Sequence, residues 1–310
     1  MADTARPAHP SAAQAVPLYL LCVASFCALD AVLKHLGQSE HPLTVSLGRY
    51  VFGLIFALMI WARAGRPRLT KDIWRAHTIR GVFTAITSVT FIWSLTILPI
   101  ADAVTYFFVG PLLVPLFAAG LLGERLRRTD VLAGIVGFLG SVIALSGGDV
   151  APAAAHNADR YVWGVASIAV SVLTYSIAVV LLRARAERDG SAVIGVVSAF
   201  IPAVMIAPGV LAFGSLPAAG TLPFYVLMGV FAAVGAWLAA EAFARAEAQQ
   251  LMPLEFTALP WAALYGFVFF SETPRPQLWA GAAIIIGACL WSGWTNTRAA
   301  RAAVPTATPP

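Results

Sequence analysis

The sequence predicts an all-α integral membrane protein, with ten transmembrane helices arranged as two inverted five-helix repeats. Three observations lead to this class. Hydrophobic residues make up 59% of the 310 positions and charged residues only 11%, whereas about 25% of the residues of a typical soluble domain are charged. Apolar stretches recur along the whole chain, and one pattern of residues occurs twice.

Ten apolar stretches are long enough to cross a bilayer, because a helix needs about 20 residues to span a hydrocarbon core of roughly 30 Å. They are residues 17–36, 43–62, 79–98, 102–122, 129–147, 161–182, 191–213, 222–243, 251–271 and 277–296. The predicted divisions of the chain are a disordered tail 1–16, a first repeat 17–148, a periplasmic linker 149–160, a second repeat 161–296 and a C-terminal cytoplasmic tail 297–310.

The basic residues test this count independently, since the cytoplasmic loops of membrane proteins collect lysine and arginine. With a cytoplasmic N-terminus, sixteen of the 20 basic residues fall on segments that the ten spans place inside the cell. One missed span would place every later loop on the opposite side of the membrane and would remove this asymmetry. We therefore expect both termini in the cytoplasm and no cleaved signal peptide.

The repeated pattern relates residues 99–148 to residues 249–294. In each copy, prolines interrupt an apolar span, an acidic residue ends it (Glu124 and Glu272), and a second apolar span opens on Ala-Gly. Because five spans per half is an odd number, the second copy enters the bilayer with the opposite orientation. Many secondary transporters are built in this way, with the substrate near the midplane and with alternating access.

Two runs carry a resemblance to a known family. LPIADAVTYFFVGPLLVPLFAAGLLGERLRR in the first half and PLEFTALPWAALYGFVFFSE in the second resemble the paired domains of EamA-type transporters in the drug/metabolite transporter superfamily. The resemblance extends over roughly residues 18 to 296. It implies a ten-helix carrier of small organic metabolites in a bacterial inner membrane, but it supplies no residue-by-residue motif and does not identify the substrate.

Four ionisable residues inside the spans are candidates for substrate binding or coupling: Asp30, Lys34, Arg49 and Glu255. At 1.5 Å of rise per residue, Asp30 in the first span and Arg49 in the second lie at a similar depth and can pair. Lys34 lies one turn beyond Asp30 on the same face. Either these charges lock two helices together, or they line a cavity.

Glu255 lies between Pro253 and Pro260 near the start of the ninth span. Prolines bend a membrane helix and free backbone carbonyl groups, which is tolerated where protein or cavity water surrounds the helix. A carboxylate there is a candidate substrate or proton site. The alternative is an interfacial carboxylate that stabilises the helix start.

Hydroxyl and aromatic side chains at helical spacing extend the candidate set. They are Thr84, Thr87, Ser88, Trp93, Tyr106, Tyr175, Trp261 and Tyr265. Serine and threonine in membranes often bond only to backbone carbonyls or to a neighbouring helix, so a packing role is the alternative to a cavity wall.

Several other features indicate packing. Small residues in the fifth span (Gly134, Gly137, Gly140) and in the tenth (Gly281, Gly287) allow close helix contact. We expect Glu241 to pair with Arg245 at i,i+4, and Glu124 with Arg125 to fix a turn. The three cysteines lie within apolar runs and are interpreted as small buried hydrophobic residues.

These patterns predict a secondary carrier for a small polar or amphipathic metabolite, bound between spans 1–4 and 6–9, with spans 5 and 10 peripheral. Charges of both signs suit a zwitterion such as an amino acid or a cofactor-like compound. A lipid or polyprenyl-phosphate flippase is the alternative. An intramembrane enzyme is less favoured, because no HExxH, GxSxG or clustered metal ligands occur. We expect no cofactor, metal or nucleic acid; a homodimer stays open.

Overall fold

The computed structural model describes residues 12–302 apart from 38, 96, 99–102, 104–105, 147–157 and 271–275. All regular structure in these residues is helical, and they contain no strand. The all-α class predicted from composition is therefore confirmed. Glu272, which was predicted to end the ninth span, lies outside the described residues.

Eleven α-helices and one short 3₁₀ helix have bounds within the described residues, and Ala103, Tyr106 and Phe107 are helical as well. The α-helices are α1 (Ala12–Leu36), α2 (Pro42–Arg63), α3 (Lys71–Leu95), α4 (Gly110–Leu122), α5 (Arg128–Leu145), α6 (Ala158–Asp189), α7 (Ser191–Phe213), α8 (Leu222–Arg245), α9 (Ala248–Glu255), α10 (Ala258–Phe270) and α11 (Pro276–Ala302). The 3₁₀ helix is Ala219–Thr221, immediately before α8.

Each of the ten predicted stretches contains helix in the structure. α1 to α8 lie at the first eight stretches, α9 and α10 share the ninth, and α11 occupies the tenth. Two bounds differ clearly from the prediction. In the fourth stretch, Ala103, Tyr106 and Phe107 are helical, a turn follows at Phe108 and Val109, and α4 begins at Gly110, where Pro111 in the first turn favours a helix start. α6 continues to Asp189, because Arg185 pairs with that residue at i,i+4 with Nε and Oδ2 2.7 Å apart.

The surface of the helices is that of a membrane protein. Six helical stretches of the described chain, at the first, second and sixth to ninth predicted spans, are long and apolar enough to cross a membrane. α4 and residues Pro276–Ser292 of α11 are shorter apolar helices. Large apolar side chains such as Leu211 and Phe213 are 88% and 76% exposed, which soluble monomers rarely show over a continuous surface. The chain is a multi-pass membrane protein; ten crossings stay a prediction.

The helices of the two predicted halves pair with each other. α1 packs along α8, α3 along α6, and α2 along α7. α4 contacts both α6 and α9, and α1 contacts α9 and α10. Residues far apart in the sequence therefore meet between the two predicted halves.

α5 and α11 form a separate close contact through small residues. A Cβ atom placed on Gly281 would clash with the carbonyl oxygen of Gly140 and would lie 2.6 Å from the Cβ of Ala144. Two backbones can approach this closely only where no side chain intervenes. The packing role predicted for the small residues of these two spans is confirmed at this contact.

Candidate functional site

Glu255 is the last residue of α9, at a break inside the ninth predicted span. Pro253 lies inside α9 and Pro260 in the first turn of α10, and neither has an amide hydrogen to donate. Phe256 and Thr257 form a turn between the two helices. The interruption predicted from the prolines is present, and it leaves the Glu255 carboxylate at a helix end within the bundle.

Two tyrosine hydroxyl groups donate hydrogen bonds to the Glu255 carboxylate. The Tyr19 hydroxyl lies 2.6 Å from Oε2, and the Tyr175 hydroxyl lies 3.4 Å from Oε1. Tyr19 is buried in α1, whereas Tyr175 in α6 and Glu255 are half-buried. The sequence analysis named Tyr175 and Glu255 separately and missed Tyr19, since a tyrosine 236 positions from its partner has no local signal.

Arg49 of α2 contacts aromatic rings. Its guanidinium carbon lies 5.8 Å from the ring centre of Phe26 in α1 and 5.6 Å from that of Tyr50, which is within the range of cation–π attraction. Arg49 is half-buried, while Asp30 and Lys34 are exposed. No ion pair among the described residues joins Asp30 to Arg49, so their pairing stays a prediction.

α1 reaches the Glu255 site directly. Its Tyr19 binds the Glu255 carboxylate, and Tyr265 of α10 donates a hydrogen bond to the carbonyl oxygen of Ala24 in α1 at 3.3 Å. Asp30 lies farther along the same helix. α1 therefore joins the break between α9 and α10 to the level of Asp30.

The hydroxyl stripe of α3 makes contacts between helices. The Thr87 and Thr174 hydroxyls are 2.8 Å apart, and the Ser88 hydroxyl lies 2.9 Å from that of Tyr50. Thr84 donates to a carbonyl oxygen of its own helix at 3.0 Å. These bonds match the packing interpretation of the stripe, because each hydroxyl has a partner in α2, α3 or α6.

The aromatic candidates fall into different places. Trp261 and Tyr265 stack with their ring centres 6.2 Å apart in α10. The Tyr106 hydroxyl lies 3.2 Å from that of Tyr161, in an exposed contact. Trp93 is 48% exposed. The stacked pair is packed against the same apolar cluster as Tyr19 and Tyr175 of the Glu255 site.

The described residues contain no group of three His, Cys, Asp or Glu side chains that could hold a metal ion, and so the cysteines near the site are not part of such a group. Cys22 and Cys27 are buried and unoxidised, and Cys289 is half-buried. The Cys27 thiol donates to the carbonyl oxygen of Ala258 at 3.5 Å, next to the break between α9 and α10. The buried apolar role predicted for Cys22 and Cys27 is confirmed.

At one end of the bundle, the loop after α4 is joined to the connection between α8 and α9. The Gln249 side chain accepts a hydrogen bond from the Arg127 amide at 2.7 Å and donates to the carbonyl oxygen of Arg125. Glu124 bonds to the Ala248 amide at 3.1 Å. Glu124 therefore contacts the other predicted half, while its predicted role in a turn with Arg125 stays a prediction. The predicted pair of Glu241 with Arg245 is present.

His77, just before the third predicted span, connects α3 to the end of α6. Arg80 Nε donates to His77 Nδ1 at 3.1 Å, and His77 Nε2 lies 3.0 Å from Asp189 Oδ2. Because an arginine can only donate, Nδ1 must accept and Nε2 must carry the proton. Burial and the adjacent Arg80 charge lower the pKa of His77 to about 4. The sequence analysis did not single out this buried cluster.

Known proteins resemble this chain along most of its length. An S-adenosylmethionine uptake transporter of Rickettsia bellii is 24% identical over 91% of this chain and 94% of its own. Riboflavin transporters of Brucella anthropi and Rhizobium johnstonii are 26% and 27% identical, over 80% and 94% of this chain and 86% and 95% of their own.

A solved crystal structure has the same fold, with a TM-score of 0.79 at 21% identity over 94% of this chain and 99% of that one. Residues 14–146 match the EamA-like transporter family, in the half of the chain where the longer of the two resembling runs lies. The resemblance read from the sequence is confirmed over residues 14–146, which match the EamA-like transporter family.

Proposed function

We propose that this protein is a secondary transporter that carries a small polar or amphipathic organic metabolite across the bacterial inner membrane by alternating access. The observation that carries the proposal is the Glu255 carboxylate, which receives hydrogen bonds from Tyr19 of α1 and Tyr175 of α6 beside an apolar cluster. Ionisable groups within membrane spans usually face a partner or a cavity that serves a substrate.

The packing of the helices supports an inverted repeat of residues 17–148 and 161–296. In such a repeat the first five predicted spans correspond in order to the second five, so that α1 corresponds to α6, α2 to α7 and α3 to α8. The contact of α1 with α8 then corresponds to that of α6 with α3, and both contacts are extensive. The contact of α2 with α7 corresponds to itself. Two halves related in this way can rock about a central site, which is the basis of alternating access in many carriers.

The relatives support a metabolite as the substrate. Their names give S-adenosylmethionine and riboflavin, two compounds that combine an aromatic ring system with polar groups. The site offers matching chemistry, with charges of both signs and the stacked rings of Trp261 and Tyr265. A zwitterionic or amphipathic metabolite fits this combination better than a simple anion.

Transport in reconstituted vesicles tests the proposal. We would measure uptake of radiolabelled S-adenosylmethionine and riboflavin by wild type, Arg49→Ala and Glu255→Ala. Arg188→Ala is the matched control, because this arginine is 67% exposed and lies away from the site. We expect at least one compound to be carried, with a loss of transport in both site variants and none in the control. Unchanged transport in both site variants would exclude the site.

A further inference from the structure

The Glu255 carboxylate has hydroxyl donors but no cationic partner in the described chain. No ion pair among the described residues includes it. An enclosed carboxylate is stabilised by a nearby positive charge. Tyr19 and Tyr175 each donate one hydrogen bond, whereas a carboxylate has about four acceptor positions. Acceptor capacity therefore remains for a cationic group.

The basic residues of the site lie at another level of the bundle. Arg49 contacts the ring of Phe26, which follows Tyr19 by seven residues in α1. At 1.5 Å per residue this separates the two levels by on the order of 10 Å. Lys34 is eight residues farther along the same helix. A single bound molecule with a positive group near Glu255 and a negative group near Arg49 must therefore hold these two groups far apart.

Aromatic rings surround the Glu255 level and are held in place. The Tyr19 ring packs edge-on against Phe243 with ring centres 5.5 Å apart, and the Tyr175 ring lies 5.0 Å from that of Phe107. Electron-rich ring faces attract cations. The hydroxyl of each tyrosine is directed at the carboxylate, so both rings are held beside the acid.

We propose that Glu255, oriented by Tyr19 and Tyr175, binds the positively charged group of the substrate, and that the Arg49 level binds its negative end. The substrate is then an elongated zwitterion and not a simple α-amino acid such as glycine, whose ammonium and carboxylate groups are attached to one carbon and cannot reach both levels. The Arg49 guanidinium has five N–H donors with which to bind an anionic group. This inference rests on the carrier function proposed above and narrows its substrate class.

A series of ω-amino acids tests the spacing directly, because the two charges of these molecules are separated by a chain of chosen length. Binding of glycine, ε-aminocaproate and ω-aminooctanoate to the purified full-length protein in lipid nanodiscs would be measured as a shift in its thermal unfolding. We expect the shift to grow with the separation of the charges. A larger shift with glycine than with ω-aminooctanoate would overturn the proposal.

Three substitutions test the residues. Glu255→Gln removes the charge, and Tyr19→Phe removes only a hydroxyl; we expect about tenfold and several-fold weaker binding of ω-aminooctanoate, since a hydrogen bond to a charged group is among the stronger ones. Tyr225→Phe is the matched control, because its buried hydroxyl has no hydrogen-bond partner in the structure. If Glu255→Gln does not insert into membranes, Tyr175→Phe replaces it.

S-adenosylmethionine and riboflavin serve as further probes and separate the two possible failures. Equal binding of any bound probe by wild type and Glu255→Gln would overturn the subsite while leaving the carrier assignment in place. Absence of binding by every probe, including these two compounds, would instead count against the proposed function, and the subsite would fall with it.

Discussion

Arg183 and Glu124 form an ion pair between the two predicted halves, with Nε and Oε1 3.0 Å apart. Their side chains are only 14% and 10% exposed. Arg183 also donates to the carbonyl oxygen of Phe243 at 2.8 Å, and Glu124 accepts from the Ala248 amide. The pair therefore ties the loop after α4 to α6, to α8 and to the start of α9 at one end of the bundle.

Arg183→Ala is expected to destabilise the protein by about 3–5 kcal/mol, because it leaves the enclosed Glu124 carboxylate without its cation. Arg188→Ala removes a comparable side chain from an exposed pair with Asp72, where the two side chains are 67% and 55% exposed. Such pairs contribute about 0–1 kcal/mol. Denaturant unfolding of the purified protein would measure both. Equal effects of the two substitutions would contradict a structural role for the Arg183 pair.

Local signals predicted the helices well. The seventh span was predicted at residues 191–213, and α7 has these bounds. Gly190 precedes it with a φ of 75°, a conformation that glycine adopts readily and that separates α6 from α7. The break in the ninth span was equally predictable from the sequence, since a proline interrupts a helix through its own backbone and needs no distant partner. The orientation of each half is a different kind of prediction, because it is defined relative to the membrane and not by the bounds of the helices.

The site could be predicted only in part, for a physical reason. Ionisable residues in apolar stretches are conspicuous, so Asp30, Arg49 and Glu255 were named from the sequence. Tyr19 was not, because tyrosine is common in apolar spans and its partner lies in the other half of the chain. Glu124 was assigned to its own turn for the same reason, since Arg183 is 59 positions away.

Gly281→Ala is expected to weaken the contact between α5 and α11 by about 1–3 kcal/mol, the usual effect of overpacking. A methyl group there meets Gly140 and Ala144. Gly287→Ala in the same helix is the matched control, since no atom lies within 4 Å of the added carbon. Removing a helix glycine at an open position stabilises by roughly 0.5–1 kcal/mol. The two variants should thus shift the midpoint of denaturant unfolding in opposite directions, and a shared direction would refute the close contact.

His77 is expected to make stability depend on pH. Its pKa is lowered from 6.5 to about 4 by burial and by Arg80, so the unfolded chain binds a proton in this interval and the folded protein does not. The folded state then loses stability as pH falls from about 6.5 to about 4, with a slope of at most ~1.4 kcal/mol per pH unit. Nothing is lost above this window, where both states are neutral.

His77→Gln tests this dependence, because a glutamine amide can still donate to Asp189 and accept from Arg80 but does not titrate. Unfolding curves between pH 7 and pH 4 would compare the variant with the wild type. We expect a shallower loss of stability in the variant. The same slope in both proteins would assign the pH dependence to other groups.

Asp30 and Arg49 are expected to be energetically coupled, since they lie in α1 and α2 at a similar predicted depth, where an isolated charge is unfavourable by several kcal/mol. Asp30→Asn alone leaves the guanidinium without its acid, and Arg49→Gln alone leaves the acid without its cation. Each single variant should therefore lose more stability than the double variant, in which neither charge remains. Arg75→Gln, which removes an exposed arginine of α3, controls for the change of net charge. The four unfolding free energies form a double-mutant cycle, and losses that add within about 0.5 kcal/mol would show that the two residues do not interact.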